Sequence, residues 1–147
     1  MPSPVTVWTV ELVAGTPPED VRGSLELERE ALVFIPREST LPERRYPLRD
    51  IVRVRRVRGS PVLMIVRQTN EGPWRTAFYF VPPPPLERSE VPSRPGMLGG
   101  ARSSGRRKVR RQNATYLGMH SRETKTVVRD WEGSVRSAVA AARDAAG

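Results

Sequence analysis

Asp130-Trp131-Glu132-Gly133-Ser134-Val135-Arg136-Ser137-Ala138-Val139-Ala140-Ala141-Ala142, near the C-terminus of a 147-residue chain, decides how the rest is read. Trp131, Val135, Ala138, Val139 and Ala142 succeed one another at steps of four, three, one and three. On a 3.6-residue repeat all five fall on one face. The spacing predicts a helix over about 122–146, with Ser121 as N-cap and Glu123 in the first turn. Gly133 costs such a helix about 1 kcal/mol relative to alanine. The small residues around it would allow a partner helix to approach, but the helix propensity of alanine accounts for them as well. The stripe begins with an indole, a large apolar plug that needs an opening elsewhere in the chain.

Upstream of that helix the apolar pattern has a period of two. Val5 to Val13 alternates, with Trp8, Val10 and Leu12 on one face, until Gly15-Thr16-Pro17-Pro18-Glu19-Asp20 stops it. Leu25 and Leu27 alternate with Glu26 and Glu28, and Leu32-Val33-Phe34-Ile35 follows, so Ser24 to Pro36 is a hairpin. A fourth strand is expected from about Tyr46 to Arg56, with Leu48 and Ile51 in the core. After a turn at Gly59-Ser60-Pro61, Val62 to Arg67 forms the fifth. Trp74, Phe78 and Phe80 then share one face of the sixth, and Ala114 to His120 is a short seventh. Short strands separated by turns and followed by one amphipathic helix predict a mainly β domain, a barrel or sandwich with the helix seated at an open end. The alternating acids Glu26, Glu28 and Glu30 are expected to face water.

In this order of parts the chain resembles the pleckstrin-homology-like (PH-like) family, of the bacterial type. The matching residues are Gly23-Ser24-Leu25-Glu26-Leu27 with Leu32-Val33-Phe34, then Tyr46-Pro47-Leu48-Arg49-Asp50-Ile51, and finally Asp130-Trp131-Glu132. The resemblance spans nearly the whole chain. It implies a seven-stranded, partly open barrel of two sheets, closed by a C-terminal α-helix with a characteristic tryptophan. Residues 1–147 would then form a single PH-like domain, with Trp131, Val135 and Val139 sealing the mouth. The resemblance also implies a binding module, attached to phosphoinositides or anionic membranes in some members and docked to peptides or proteins in others. Phosphoinositide-binding members carry basic residues around the loop between strands one and two. Here the segment Ala14 to Arg22 offers Arg22 alone, together with Glu19 and Asp20, so an inositol-phosphate pocket is not expected at that place.

The formal charge of +9 is nearly all arginine, since Lys108 and Lys125 are the only lysines. Arginine's planar fork suits phosphate, although a GC-rich coding bias would favour arginine too. Between Pro82 and Asn113 the composition shifts to proline, glycine and serine, beginning with Pro82-Pro83-Pro84-Pro85. The segment holds eight basic residues against Glu87 and Glu90, and so carries six of the nine excess charges. Without apolar periodicity it is expected to be a flexible insertion between strands six and seven. The run of prolines suits a stiff exit from a strand, or else a short polyproline rod for an aromatic groove.

Arg106, Arg107, Lys108, Arg110 and Arg111 make this insertion a candidate electrostatic arm. Such an arm could lie on anionic lipid, at about 1 kcal/mol per basic residue. It could also release counterions from nucleic acid. The absence of aromatics between Val81 and Tyr116 weighs against base stacking. A solvated loop kept soluble by its charge is the plainer alternative. A second cluster is Arg53, Arg55, Arg56 and Arg58, with Arg53 and Arg55 on the solvent face and a bulge expected near Arg55 and Arg56. It is either a charge-blunted strand face or half of an anion-binding surface.

Several chemistries are excluded. Without cysteine there is no disulfide, thiolate metal site or cysteine nucleophile. His120 is the only histidine, too little for a triad or a histidine metal cluster. Gly100 to Arg107 is superficially like a P-loop, but arginines replace the lysine and the hydroxyl residue, with no strand before it or helix after it. No signal peptide or integral membrane segment is read. The expectation is a non-enzymatic, cofactor-free protein of the cytoplasm, peripheral to the inner face of the membrane. Its expected partner is an anionic lipid surface; a protein docked on the barrel and the Pro-rich arm is the second choice and nucleic acid the third.

Overall fold

Alternation of apolar and polar residues produces seven strands in the computed structural model, which describes residues 2–12, 15, 18–84 and 124–145. They are β1 (Val5–Leu12), β2 (Asp20–Leu27), β3 (Ala31–Pro36), β4 (Arg44–Pro47), β5 (Ile51–Arg56), β6 (Val62–Thr69) and β7 (Gly72–Tyr79). One helix, α1, occupies 124–145. The protein is thus mainly β with a C-terminal helix, as the order of parts predicts.

The strands form one antiparallel sheet in the order β4-β3-β2-β1-β7-β6-β5, not the expected two. Every neighbouring pair is hydrogen bonded, so the ladder has no break at which a second sheet could begin. Among the described strands the sheet is not closed: β4 and β5 are its two edges. They are also consecutive in the chain, joined only by a 3-10 turn at Leu48–Asp50. So short a connection spans little more than one strand spacing, and the sheet must curl until its edges nearly meet.

This turn corrects the expected continuous strand from Tyr46 to Arg56. Pro47 has no N–H with which to extend the ladder. Leu48 then turns into the core, its N–H donating to the Glu30 carbonyl at 3.0 Å. Splitting one expected strand into two brings the described count to seven. Ala114–His120, expected as the seventh strand, lies outside the described residues, as do Ser121 and most of the 82–113 insertion. The Ser24–Pro36 hairpin is present, with Leu27 opposite Leu32. β2 starts earlier than the pattern suggests, at Asp20, because Asp20 to Arg22 continue the ladder with β1.

Gly23 on β2 is required by packing. A side chain there would run into the Ile35 carbonyl and the Phe34 ring, whose Cζ lies 2.6 Å from the Cβ position. Inward residues of all seven strands and the turn join α1 in one core, among them Val7, Leu25, Phe34, Leu48, Ile65 and Phe78. Trp131 is 2 % exposed and meets Phe80 edge-on, with ring centroids 6.4 Å apart. Val135 and Val139 are buried behind it, and Ala138 and Ala142 pack partly buried against the same core. Val128, one turn before Trp131, extends the stripe. A smaller cluster of Val10, Val62 and Ala77 lies on the opposite face of the sheet.

The helix also finishes the β5 edge. Arg136 donates through Nε and Nη2 to the Val54 carbonyl at 3.1 and 2.9 Å, and Arg143 Nη2 to the Ile51 carbonyl at 2.8 Å. The Arg56 N–H donates to the Glu132 carboxylate. The helix runs antiparallel to the strand with matched rise. Four helical residues cover about 6 Å and seven about 10.5 Å, against about 6.6 and 9.9 Å for two and three strand residues. The three-residue step from Ile51 to Val54 exists because the bulge falls between Ile51 and Arg53, not near Arg55 and Arg56 as expected. Three edge groups left by the ladder, the Arg56 N–H and the Val54 and Ile51 carbonyls, are thereby satisfied instead of open to another chain.

Candidate anion-binding surface

On β5, Ile51 and Val54 point into the core, so Arg53 and Arg55 project from the outer face, and both are exposed. Arg58 is exposed in the turn after β5, which Gly59 makes with a φ of +74°. Arg56 is half-buried and its backbone is engaged by Glu132, so it is set apart from the other three. Arg106, Arg107, Lys108, Arg110 and Arg111 lie outside the described residues.

Strand register adds an arginine that the sequence reading missed. Arg53 stands opposite Val66, Val66 opposite Arg75, and Arg75 opposite Leu12. Thr76 and Phe78 point inward, so Arg75 is on the same outer face as Arg53, two strand spacings or about 10 Å away. The signal for it was present, because Arg75 falls between the inward-facing Trp74 and Thr76.

No Asp or Glu occupies an outward position of β5, β6, β7 or β1. Among the described residues none of Arg53, Arg55, Arg58 and Arg75 is ion-paired. Exposed apolar residues border the arginines: Val52 is 48 % and Leu12 40 % exposed. The result is part of a sheet face, the remainder at Val10, Val62 and Ala77 being buried, with uncompensated positive charge set among aliphatic side chains. It can attract and hold an anionic surface, and nothing in it resembles a catalytic constellation.

A cleft of about 660 Å³ beside the end of α1 also carries arginines, Arg29, Arg45 and Arg49, but is differently balanced. Glu30 is part of its wall, and Arg45 is ion-paired with Glu28 and Glu43. The hydrogen bond from Arg45 to Glu28 holds the guanidinium above its ordinary pKa. Glu28 therefore pairs across strands and does not merely face water. Among the described residues no group of three or more His, Cys, Asp or Glu is placed to hold a metal ion. No described helix is long and apolar enough to cross a membrane. Compared with models of known protein families the chain matches none, and no curated protein matches it either.

Proposed function

We propose that the protein is a non-enzymatic binding module of PH-like type whose outer sheet face contacts an anionic membrane surface, peripheral to its inner leaflet. The observation that carries this reading is the acid-free face of β5, β6, β7 and β1, with Arg53, Arg55 and Arg75 projecting from it and Arg58 at its corner. Arginine heads there can pair with lipid phosphates while Val52 and Leu12 meet the interface. Arg106, Arg107, Lys108, Arg110 and Arg111 add charge to the same molecule. Docking of a peptide by strand addition is less well supported. Such docking needs free edge groups; at β5 the Arg56 N–H and the Val54 and Ile51 carbonyls are held by Glu132, Arg136 and Arg143, which leaves, of the two described edges, the four-residue β4.

Co-sedimentation with liposomes tests the reading. The full chain is expected to pellet with vesicles containing phosphatidylglycerol and not with phosphatidylcholine alone, and to be released by salt. R53Q/R55Q/R75Q should weaken pelleting by about 100-fold, at ~1 kcal/mol per arginine. Removing residues 102–111 should weaken it separately. Equal pelleting with both lipids would overturn the proposal. So would tighter binding to single-stranded RNA or DNA in a shift assay run in the same buffer.

A further inference from the structure

Between the β5 edge and α1 lies a cleft of about 180 Å³ whose walls carry three arginines and no acid. Arg53 lines it from the strand, Arg136 and Arg143 from the helix, and the buried Val54 and Val139 are part of the same wall. Bulges re-aim side chains at a sheet edge, and the one between Ile51 and Arg53 adjoins this wall.

Two of the three arginines are held in place by the fold. Arg136 gives Nε and Nη2 to the Val54 carbonyl, and Arg143 gives Nη2 to the Ile51 carbonyl. A guanidinium has more donors than these bonds use, so both keep some for a ligand. The rotamer freedom that a long side chain ordinarily loses on binding is here lost on folding. Among the described residues neither Arg53 nor Arg143 is ion-paired. Arg136 pairs with Glu132, one turn back, at 3.7 Å. Three guanidiniums against that one carboxylate leave a charge of +2 around the cleft. The other acids adjoining in sequence, Asp50 and Asp144, are not part of its wall.

Size and charge together select the occupant. The cleft holds roughly six water volumes, room for one compact ion and not for a peptide strand. A strand would also need the Ile51 and Val54 carbonyls that the arginines occupy. A double positive charge presented by planar forks matches a tetrahedral dianion better than a carboxylate, which carries half the charge.

We propose that Arg53, Arg136 and Arg143 form a site for the phosphate group of a phosphomonoester, free or at the head of a lipid. In its lipid form the site rests on the membrane reading proposed above, because Arg53 belongs to both; in its free form it stands alone.

Inorganic phosphate serves as the probe, titrated into the ¹⁵N-labelled full chain at constant ionic strength, in the millimolar range suited to so small a ligand. The pH is held at about 8, where phosphate is mostly the dianion. Amides 52–54 and 139–143 and the Arg136 Nε–H should shift saturably, and those of β2 and β3 should stay in place. Acetate should bind at least about tenfold more weakly. R53Q should weaken phosphate about fivefold, and R143K, which keeps the charge but loses the fork, about threefold. The Arg53 side chain makes no described hydrogen bond, so R53Q keeps the test valid if R143K loosens α1. R37Q, which removes a charge from the loop after β3, should leave binding unchanged. Non-saturating shifts, acetate binding as tightly as phosphate, full binding by R53Q, or an equal loss in R37Q would each overturn the proposal. Vesicles of phosphatidic acid, a monoester, and of phosphatidylglycerol, a diester, matched in surface charge, separate the two sources. Stronger pelleting with phosphatidic acid that R143K removes supports the lipid form; saturable phosphate binding without that preference supports the free form. If phosphate does not saturate while pelleting on phosphatidylglycerol persists, this site falls and the membrane reading stands. Saturable phosphate binding without any pelleting leaves this site and removes that reading.

Discussion

Trp131 and Trp74 both face the interior of the barrel, at opposite ends of it; Trp131 is buried and Trp74 half-buried, and they are held by opposite chemistry. Trp74 lies on β7 and Phe80, the ring on which Trp131 packs, just past its end, six residues on and about 20 Å away at a strand's rise. Around Trp131 the packing is apolar, from Phe80, Val128 and Val135. Around Trp74 it is polar: the indole N–H is given to Glu11, which also takes the Tyr46 and Thr76 hydroxyls and an arginine. One end is held by shape and the other by a carboxylate that several donors share. Damage to the first leaves a void; damage to the second leaves unpaired donors, of which the Tyr46 and Thr76 hydroxyls are buried.

The largest expected effect is at the apolar end. Trp131→Ala should cost about 3–5 kcal/mol, because the surrounding strands cannot collapse into the space of an indole. For a chain of this length that lowers Tm by roughly 10–15 °C in thermal unfolding followed by circular dichroism. Trp131→Phe should recover more than half of the loss. If Trp131→Ala melts within a few degrees of the wild type, α1 does not close the barrel, and the contrast between the two ends disappears.

How much of each end was legible follows from what kind of contact made it. The Trp131 stripe could be read because apolar residues at helical spacing declare their own face, although Val128, three residues earlier, was there to be added. The split at Pro47 was readable from its missing N–H, but Leu48 and Ile51 both looked like core residues of one strand. The roles of Glu132, Arg136 and Arg143 were not readable. Charged residues on an amphipathic helix look solvent-facing, and their partners are backbone groups 76, 82 and 92 residues away. Glu11 was equally silent, a lone acid between Val10 and Leu12 whose donors come from β4 and β7. On the outer face, Arg53 and Arg55 followed from alternation. Arg75 needed the register that places β7 beside β6 and β6 beside β5.

At the polar end, Glu11→Leu should cost about 2–4 kcal/mol, the penalty for stranding donors that include the buried Tyr46 and Thr76 hydroxyls. Glu11→Gln keeps one carbonyl acceptor and should cost about half as much. Urea unfolding of the two variants separates the explanations, since loss of packing alone would make leucine the milder change. A smaller loss for Glu11→Leu than for Glu11→Gln would mean the carboxylate is not what holds this end.

The smallest effect, and the most specific, belongs to Tyr46. At neutral pH Tyr46→Phe should cost about 1 kcal/mol, the worth of one hydrogen bond to a charged group that keeps its other donors. Its pH dependence separates the hydroxyl from the ring. Burial first, and then the Glu11 carboxylate, push the Tyr46 hydroxyl above its ordinary value of 10.0, so the folded protein holds this proton more tightly than the unfolded chain does. The corresponding stability is complete below pH 10 and is lost as pH rises above it towards the folded value. Denaturant midpoints from pH 8 to 11 should therefore fall more steeply for the wild type than for Tyr46→Phe. Tyr79, raised by burial and by Asp20, keeps the variant's curve from being flat. Parallel curves for the two proteins would mean that Tyr46 ionises as it does in water, and the polar end would then be open where the Glu11 network requires it to be shut.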